Sequence, residues 1–162
     1  MHFPPPRAPD DGPLYQVRRS TDNTTLAVPL LAPGGFADVS AVGAFCAGAN
    51  CTVWRLYDQS AYNNDLTTAP EGGTGRHIDN GVNATALPLR LPSGGRVYAA
   101  SFVSGANQGY RIDITNNVAT GNEAETIYMV ASGQTGNEKC CFDFVSSSAA
   151  RASARGARAC VT

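Results

Sequence analysis

Apolar and polar residues alternate most regularly over residues 52–57, Thr-Val-Trp-Arg-Leu-Tyr. Every second residue from Val53 onward falls on one face of this segment, and Trp54 belongs to the other, which is the period of a β-strand. β-Branched and aromatic residues suit a pleated surface, and Trp54, the only Trp, offers more area for burial than any other side chain. Residues 58–65, the polar loop, follow and are rich in Asp, Asn and Ser, which favour turns. We therefore predict a core strand that leads directly into a structured polar loop, a place where sandwich folds often hold ligands.

Other short apolar segments predict further strands, over residues 14–18, 26–31, 86–91, 96–102, 109–114, 125–132 and 142–145. One segment has helical spacing, because Val39, Val42 and Phe45 fall on one helical face. Asp38 precedes them in the position of an N-cap. Seventeen Gly and ten Pro punctuate the chain. The pattern predicts an all-β fold with one short helix.

A length of 162 residues suits one domain with a hydrophobic core. Residues 1–13 carry five prolines and predict a disordered lead-in, and we assign the domain itself to residues 14–145. Residues 146–162 are of low complexity, and they resemble a GC-rich stretch translated in the wrong reading frame. The first residues lack the apolar segment of a signal peptide, so either the natural start lies upstream or the assigned start is wrong.

Charge and hydropathy argue against two classes of partner. The formal net charge is −1 at pH 7 and 15% of the residues are charged, so nothing directs the chain to nucleic acid or to an anionic membrane. No apolar run approaches the roughly 20 residues that a membrane-spanning helix needs.

Five cysteines, an odd number, occur in the chain. Cys46 and Cys51 are separated by a small, flexible segment that permits a local disulfide. Cys140 and Cys141 are adjacent, so their Cα atoms lie about 3.8 Å apart, whereas disulfides prefer roughly 4.4–6.8 Å. A bond between them would close a strained, rigid ring suited to packing against a small sugar. The alternative is that the two thiols are free or pair with separate partners, and Cys160 stands alone near the end.

Three Asn-x-Thr sequons, at Asn23, Asn50 and Asn83, are acceptor sequences for N-glycosylation. Together with the cysteines they favour an oxidising compartment and a secreted glycoprotein. We take Asn23 and Asn83 as the candidate glycosylation sites.

Three pieces of the sequence carry a family resemblance over residues 14–144. The first joins Leu-Tyr-Gln-Val-Arg at 14–18 to Gly-Gly-Phe-Ala-Asp at 34–38. The second runs from Phe-Cys-Ala at 45–47 through Cys-Thr at 51–52 to Tyr-Asp-Gln-Ser at 57–60 and Asn-Asp-Leu-Thr at 64–67. The third, the most specific, joins Gly-Asn-Glu-Ala-Glu at 121–125 to Cys-Cys-Phe-Asp-Phe at 140–144. In this order they resemble the catalytic domain of the α-L-arabinofuranosidase B type enzymes, glycoside hydrolase family fifty-four.

The resemblance implies a concanavalin-like or jelly-roll β-sandwich, here incomplete, that releases terminal α-L-arabinofuranosyl residues from arabinoxylan and arabinan with retention of configuration. It implies a disulfide between Cys140 and Cys141 that lines the sugar pocket, and a local disulfide between Cys46 and Cys51. It implies no metal or organic cofactor, and we expect a secreted monomer. The family's two catalytic carboxylates lie beyond Thr162, so we assign no catalytic residue in this chain and expect little or no hydrolysis from it alone.

Carboxylates within the chain offer alternatives. Glu123 and Glu125 would lie about 7 Å apart along one face of a strand, whereas retaining hydrolysis needs about 5–5.5 Å, so solvated or turn-capping roles are the simpler interpretation. Asp58 and Asp65 flank the polar loop and could hold Ca²⁺ or a sugar hydroxyl, or stabilise turns through Asx hydrogen bonds. Asp143 is expected to bond backbone near the pocket.

The two histidines, His2 and His77, lack the Cys/His spacing of a zinc site. A rival function on the same fold is a non-catalytic, lectin-like carbohydrate-binding module that uses residues 58–65. A structural or adhesion domain without a sugar site is the third class.

Overall fold

The computed structural model of the chain describes residues 12–72 and 77–124. The strands in this part are β1 (Tyr15–Arg19), β2 (Thr25–Val28), β3 (Cys51–Leu56), β4 (Leu66–Thr68), β5 (Leu87–Arg90), β6 (Arg96–Ala99) and β7 (Tyr110–Arg111). The single helix of the described residues is α1 (Val39–Phe45). The described residues form two units, the first over 12–65 and 83–101 and the second over 66–72, 77–82 and 102–124. None of the described helices is long and apolar enough to span a membrane.

In the first unit, β1 pairs antiparallel with both β2 and β3. Val17 lies opposite Leu26 on one side and Val53 on the other, and both Val17 and Val28 are completely buried. Burial of apolar side chains at about 25 cal/mol per Å² is the main stabilising contribution to such a core. The predicted alternation therefore gives a sheet with one apolar face.

Helix α1 contributes its central residue to the buried part of the first unit. The Asp38 carboxylate accepts hydrogen bonds from the backbone N–H groups of Ser40 and Ala41, at 2.9 and 3.1 Å, and so caps the first turn. Val42 is completely buried, and α1 contacts β2 and β6. The predicted N-cap and helix are confirmed.

A β-bulge in β3 changes the position of Trp54. Gln16 lies opposite Arg55 and Val17 lies opposite Val53, so Trp54 is the extra residue of the longer strand. Its ring is only partly buried and lies under the guanidinium of Arg18, 3.8 Å from the ring centroid. The two faces predicted over 52–57 are thus interrupted at Trp54, and the core residues of β3 are Cys51 and Val53.

β5 and β6 form an antiparallel hairpin in the first unit. Leu87 and Leu89 lie opposite Ala99 and Val97 and share one apolar face, on which both leucines are about two-fifths exposed. The hairpin is shorter than predicted at its second strand, since β6 ends at Ala99.

The second unit contains the antiparallel pair β4 and β7, and Thr68 lies opposite Tyr110. Its buried residues include Ala69, Val82, Tyr110 and Arg111. Strand β4 was not predicted, and β7 covers only two residues of the predicted 109–114. The strands predicted at 125–132 and 142–145 lie outside the described residues. Within the described residues, the prediction of an all-β fold with one short helix is confirmed, and the strand pairs described above are antiparallel.

Candidate functional site

Several of the predicted site residues lie outside the described part of the chain, namely His2, Glu125, Cys140, Cys141, Asp143 and Cys160. The predicted pocket disulfide therefore stays a prediction. The structure does place the polar loop, the Cys46–Cys51 pair, the sequons, Glu123 and His77.

The polar loop at residues 58–65 is organised around one carboxylate. Asp58 Oδ1 accepts a hydrogen bond from Ser60 N–H at 2.8 Å, and Oδ2 accepts from Ser60 Oγ at 2.6 Å and from Asn64 N–H at 2.8 Å. Ser60 Oγ in turn accepts from Tyr62 N–H at 3.2 Å. Such Asx and serine turns form because a short polar side chain can replace a backbone acceptor. One side chain thus fixes the path of the loop.

The two ends of the loop are joined by the second aspartate. Asp65 Oδ1 accepts from Asp58 N–H at 2.9 Å, and Asp65 Oδ2 lies 3.8 Å from Arg55 Nη1. Gln59 extends the network by donating from Nε2 to the backbone oxygens of Pro13 and Tyr57, at 3.1 and 3.2 Å. The loop is therefore a continuation of β3 that is held against the segment leading into β1.

This geometry agrees with the turn-stabilising interpretation of Asp58 and Asp65. Both Asp58 oxygens and Asp65 Oδ1 accept from backbone or hydroxyl donors of the loop, and Asp65 Oδ2 faces Arg55, so these charges stabilise the loop. No group of three or more His, Cys, Asp or Glu side chains within residues 12–72 and 77–124 is placed to hold a metal ion.

Glu123 has a similar local role. Its Oε2 accepts from Thr120 N–H at 2.7 Å and from Thr120 Oγ1 at 3.3 Å, which closes the turn over residues 120–123. His77 is exposed. Neither arrangement provides a desolvated acid or base.

A covalent link closes the segment between α1 and β3. Cys46 and Cys51 form a disulfide with their Cα atoms 5.8 Å apart, and the side chains are almost completely buried. Arg19 lies at the same helix end, where Nη1 donates to the Phe45 carbonyl at 3.2 Å and the guanidinium lies 4.8 Å from the Phe45 ring. A cation at a helix C-terminus interacts favourably with its unpaired carbonyls.

Two buried polar side chains in the second unit were missed by the sequence reasoning. Arg111 is 6% exposed; Nε donates to Asp113 Oδ1 at 2.5 Å and Nη2 donates to the Glu71 carbonyl at 3.3 Å. Tyr110 Oη accepts from Val82 N–H at 3.0 Å, and burial raises the pKa of Tyr110 to about 12. The close approach of Arg111 to Gly72 shows only in the structure: a Cβ at Gly72 would lie 3.0 Å from Arg111 Nη2, so the absence of a side chain there makes room for the guanidinium.

Comparison with known proteins places this chain in one family. The family model described as "Alpha-L-arabinofuranosidase B, catalytic" matches residues 9–159. Alpha-L-arabinofuranosidase B of Emericella nidulans is 44% identical over 138 residues, which are 83% of this chain and 26% of that protein. The enzyme of the same name from Aspergillus kawachii is 40% identical over 82% of this chain and 27% of its own length. The chain thus spans about a quarter of the length of these relatives.

Solved structures give the same result. An arabinofuranosidase in complex with arabinofuranosyl-α-1,2-xylobiose superposes with a TM-score of 0.65 and 38% identity, over 72% of this chain and 24% of that one. A family 54 α-L-arabinofuranosidase soaked with a cyclic sulfate inhibitor gives the same values. The likeness extends to the β-sandwich type of fold.

Proposed function

Because this chain belongs to the catalytic-domain family of alpha-L-arabinofuranosidase B, we propose that it forms part of the catalytic domain of a secreted, monomeric arabinofuranosidase. The substrate class is arabinose-containing plant polysaccharide, arabinoxylan and arabinan, from which terminal α-L-arabinofuranosyl residues are hydrolysed with retention. The observation that carries the proposal is the 44% identity over 83% of the chain. The chain covers only 26% of that relative, so the activity of the whole enzyme is part of the proposal.

In this proposal, the chain contributes a non-catalytic wall of the sugar pocket. Cys140 and Cys141 form its rigid apolar face, as the resemblance implies. The buried Cys46–Cys51 disulfide and the Asp58 network support the proposal, because they fix α1, β3 and the polar loop in one arrangement. A rigid scaffold of this kind keeps pocket residues within the tolerance that catalysis requires.

The nucleophile and the acid/base are proposed to come from outside this chain. Retaining hydrolysis needs two carboxyl groups about 5–5.5 Å apart, and one of them must stay protonated at working pH. Asp58, Asp65 and Glu123 instead accept hydrogen bonds within their own turns. The 162-residue chain alone should therefore give no turnover of an aryl arabinofuranoside.

A chimera tests both halves of the proposal. Residues 9–159 replace the matching segment of the Emericella nidulans relative, and hydrolysis of 4-nitrophenyl α-L-arabinofuranoside is compared with that of the unaltered relative and of the isolated chain. We expect the chimera to be active and the isolated chain to be inactive. A chimera that melts cooperatively yet does not cleave the substrate refutes the proposal, as does turnover by the isolated chain.

The matched variant is Cys140→Ser with Cys141→Ser in the same chimera. If the two cysteines line the pocket, KM should rise by about tenfold, the equivalent of roughly 1.4 kcal/mol of lost binding. Thr21→Ala, at an exposed residue between β1 and β2, is the control and should change neither KM nor kcat. No second function is proposed, because the Asp58 oxygens on which a lectin-like site would depend are committed to the polar loop.

A further inference from the structure

The three Asn-x-Thr sequons all lie in the first unit, and they differ in how much of each triplet is exposed in the folded chain. A transferase must reach both the Asn amide nitrogen and the hydroxyl two residues later. The relevant comparison is therefore how much of each triplet remains at the surface once the chain has folded.

Asn23 lies at the tip of the connection between β1 and β2. Its N–H donates to the Arg19 carbonyl at 3.0 Å, and Arg19 N–H donates to the Thr24 carbonyl at 2.9 Å. Its φ of +59° is in the left-handed region, which Asn tolerates better than most residues. Asn23, Thr24 and Thr25 are all exposed.

The tip is also held in place. Asp22 Oδ1 accepts from Thr24 N–H at 3.1 Å and from Thr24 Oγ1 at 2.8 Å, and Asp22 Oδ2 lies 2.6 Å from Arg19 Nη2. These contacts use the residues beside Asn23. The Asn23 side chain is thus presented on an ordered turn.

In the Asn83 sequon, Asn83 itself is exposed, but the residue after it is buried and Thr85 is only partly exposed. The middle residue, Ala84, is 3% exposed, and Ala84 N–H donates to the Cys51 carbonyl at 2.9 Å. Asn83 Oδ1 accepts from Thr85 N–H at 2.9 Å and from Thr85 Oγ1 at 3.2 Å, so the acceptor amide and the hydroxyl are tied to each other. Modification here requires local opening.

In the Asn50 sequon, Asn50 itself is exposed, but the two residues after it belong to the disulfide and to β3. The middle residue, Cys51, is 1% exposed and bonded to Cys46. Thr52 lies within β3 and is only partly exposed, whereas Thr25, although it lies within β2 opposite the same Arg18, is exposed. Only a chain that has not yet closed this disulfide and strand presents the whole triplet.

We propose that Asn23 is the N-glycosylation site of the folded chain, and that folding withdraws Asn50 and Asn83. The donor is an oligosaccharide joined to a lipid through pyrophosphate. The Asn23 amide nitrogen forms a bond to the anomeric carbon and loses one proton, and the anomeric C–O bond to pyrophosphate breaks. The lipid pyrophosphate leaves with the electron pair and accepts the proton, so no oxidant or reductant is needed.

The test uses the full 162-residue chain, isolated from a host that does not glycosylate and checked for a closed Cys46–Cys51 disulfide by thiol alkylation. It is incubated with an oligosaccharyltransferase and a lipid pyrophosphate-linked oligosaccharide, once in the native state and once after reduction and unfolding. Site occupancy is read by mass spectrometry after enzymatic glycan release in heavy-oxygen water. In the native chain, Asn23 occupancy should exceed that of Asn50 and Asn83 by at least about tenfold, the ratio that a local opening of about 1.4 kcal/mol gives.

Three variants sharpen the result. Thr25→Ala should abolish occupancy at Asn23, Thr25→Ser should retain it, and Thr85→Ala, the matched control, should leave it unchanged. Unfolding should remove the preference. If the isolated chain does not form the Cys46–Cys51 disulfide, site occupancy is measured on the same variants of the chimera instead. Equal or greater occupancy of Asn50 or Asn83 in the native protein, or an unmodified Asn23, overturns the proposal.

Discussion

Each of the two units contains a close arginine–aspartate pair, and the two pairs do different work. In the first unit, Arg19 and Asp22 are 2.6 Å apart with side chains 30% and 42% exposed. In the second unit, Arg111 and Asp113 are 2.5 Å apart, but Arg111 is 6% exposed while Asp113 is 51% exposed. The distances are nearly equal, so burial is what separates the two pairs.

The comparison shows which of the charged side chains contributes to the free energy of unfolding. A surface pair gains little, because water screens the attraction and two long side chains lose freedom. Arg19 therefore matters mainly through its contacts with the Phe45 carbonyl and ring, at the end of a helix that a disulfide already holds. Arg111 is a core side chain whose hydrogen bonds replace the apolar packing that another residue would provide.

The largest expected effect follows from removing the buried partner. Arg111→Ala should lower the free energy of unfolding by about 3 kcal/mol, because it leaves a cavity and removes the hydrogen bonds of a buried guanidinium. Urea denaturation of the purified chain measures this. Asp113→Asn should cost less, since Asp113 is half exposed, and Arg19→Ala should also cost less. The comparison fails if Arg19→Ala destabilises as much as Arg111→Ala.

A smaller effect is expected from the disulfide beside Arg19. Cys46→Ala with Cys51→Ala should cost about 2 kcal/mol, the loop-closure value for so short a ring. The same urea titration on the reduced wild-type chain should give a matching value. Unchanged stability after the bond is removed would mean that Arg19 and the packing of α1 hold this end of the unit by themselves.

The smallest effect is a pH dependence at Asp22. The hydrogen bonds from Arg19 and from Thr24 hold the pKa of the Asp22 carboxyl well below its ordinary value. A carboxyl with a lowered folded-state pKa contributes its stability above about pH 4 and loses it as the pH falls further. Asp22→Asn should flatten the stability profile below about pH 4, and the wild-type chain measured over the same pH range is the reference. Identical profiles for Asp22→Asn and the wild type would contradict the assignment.

Local features were predictable where they depend on residues close in sequence. The N-cap at Asp38 and the place of Val42 on an apolar helical face predict α1 without information from other elements, and the structure contains that helix. The density of Asp, Asn and Ser after β3 likewise predicts a turn-rich loop, and the Asp58 hydrogen bonds supply its mechanism. Hydrogen bonds between residues two to six positions apart in the sequence can be predicted without knowledge of the tertiary structure.

Features that depend on distant residues were not predictable from pattern. The bulge at Trp54 arises from the register between β1 and β3, so the largest aromatic ring lies beneath Arg18 and not in the core. Arg111 offered no local sign of burial, because what buries it is the fold of the second unit around it.

By itself, the sequence determined the family, the predominance of strands, helix α1 and the turn-forming role of the polar loop, since each depends on residue identity or short-range spacing. Tertiary structure alone decided which arginine of two similar ion pairs is buried and which of three sequons keeps its threonine fully exposed. The reason is that exposure to water depends on contacts between segments far apart in the chain, and no local pattern of residues records those contacts.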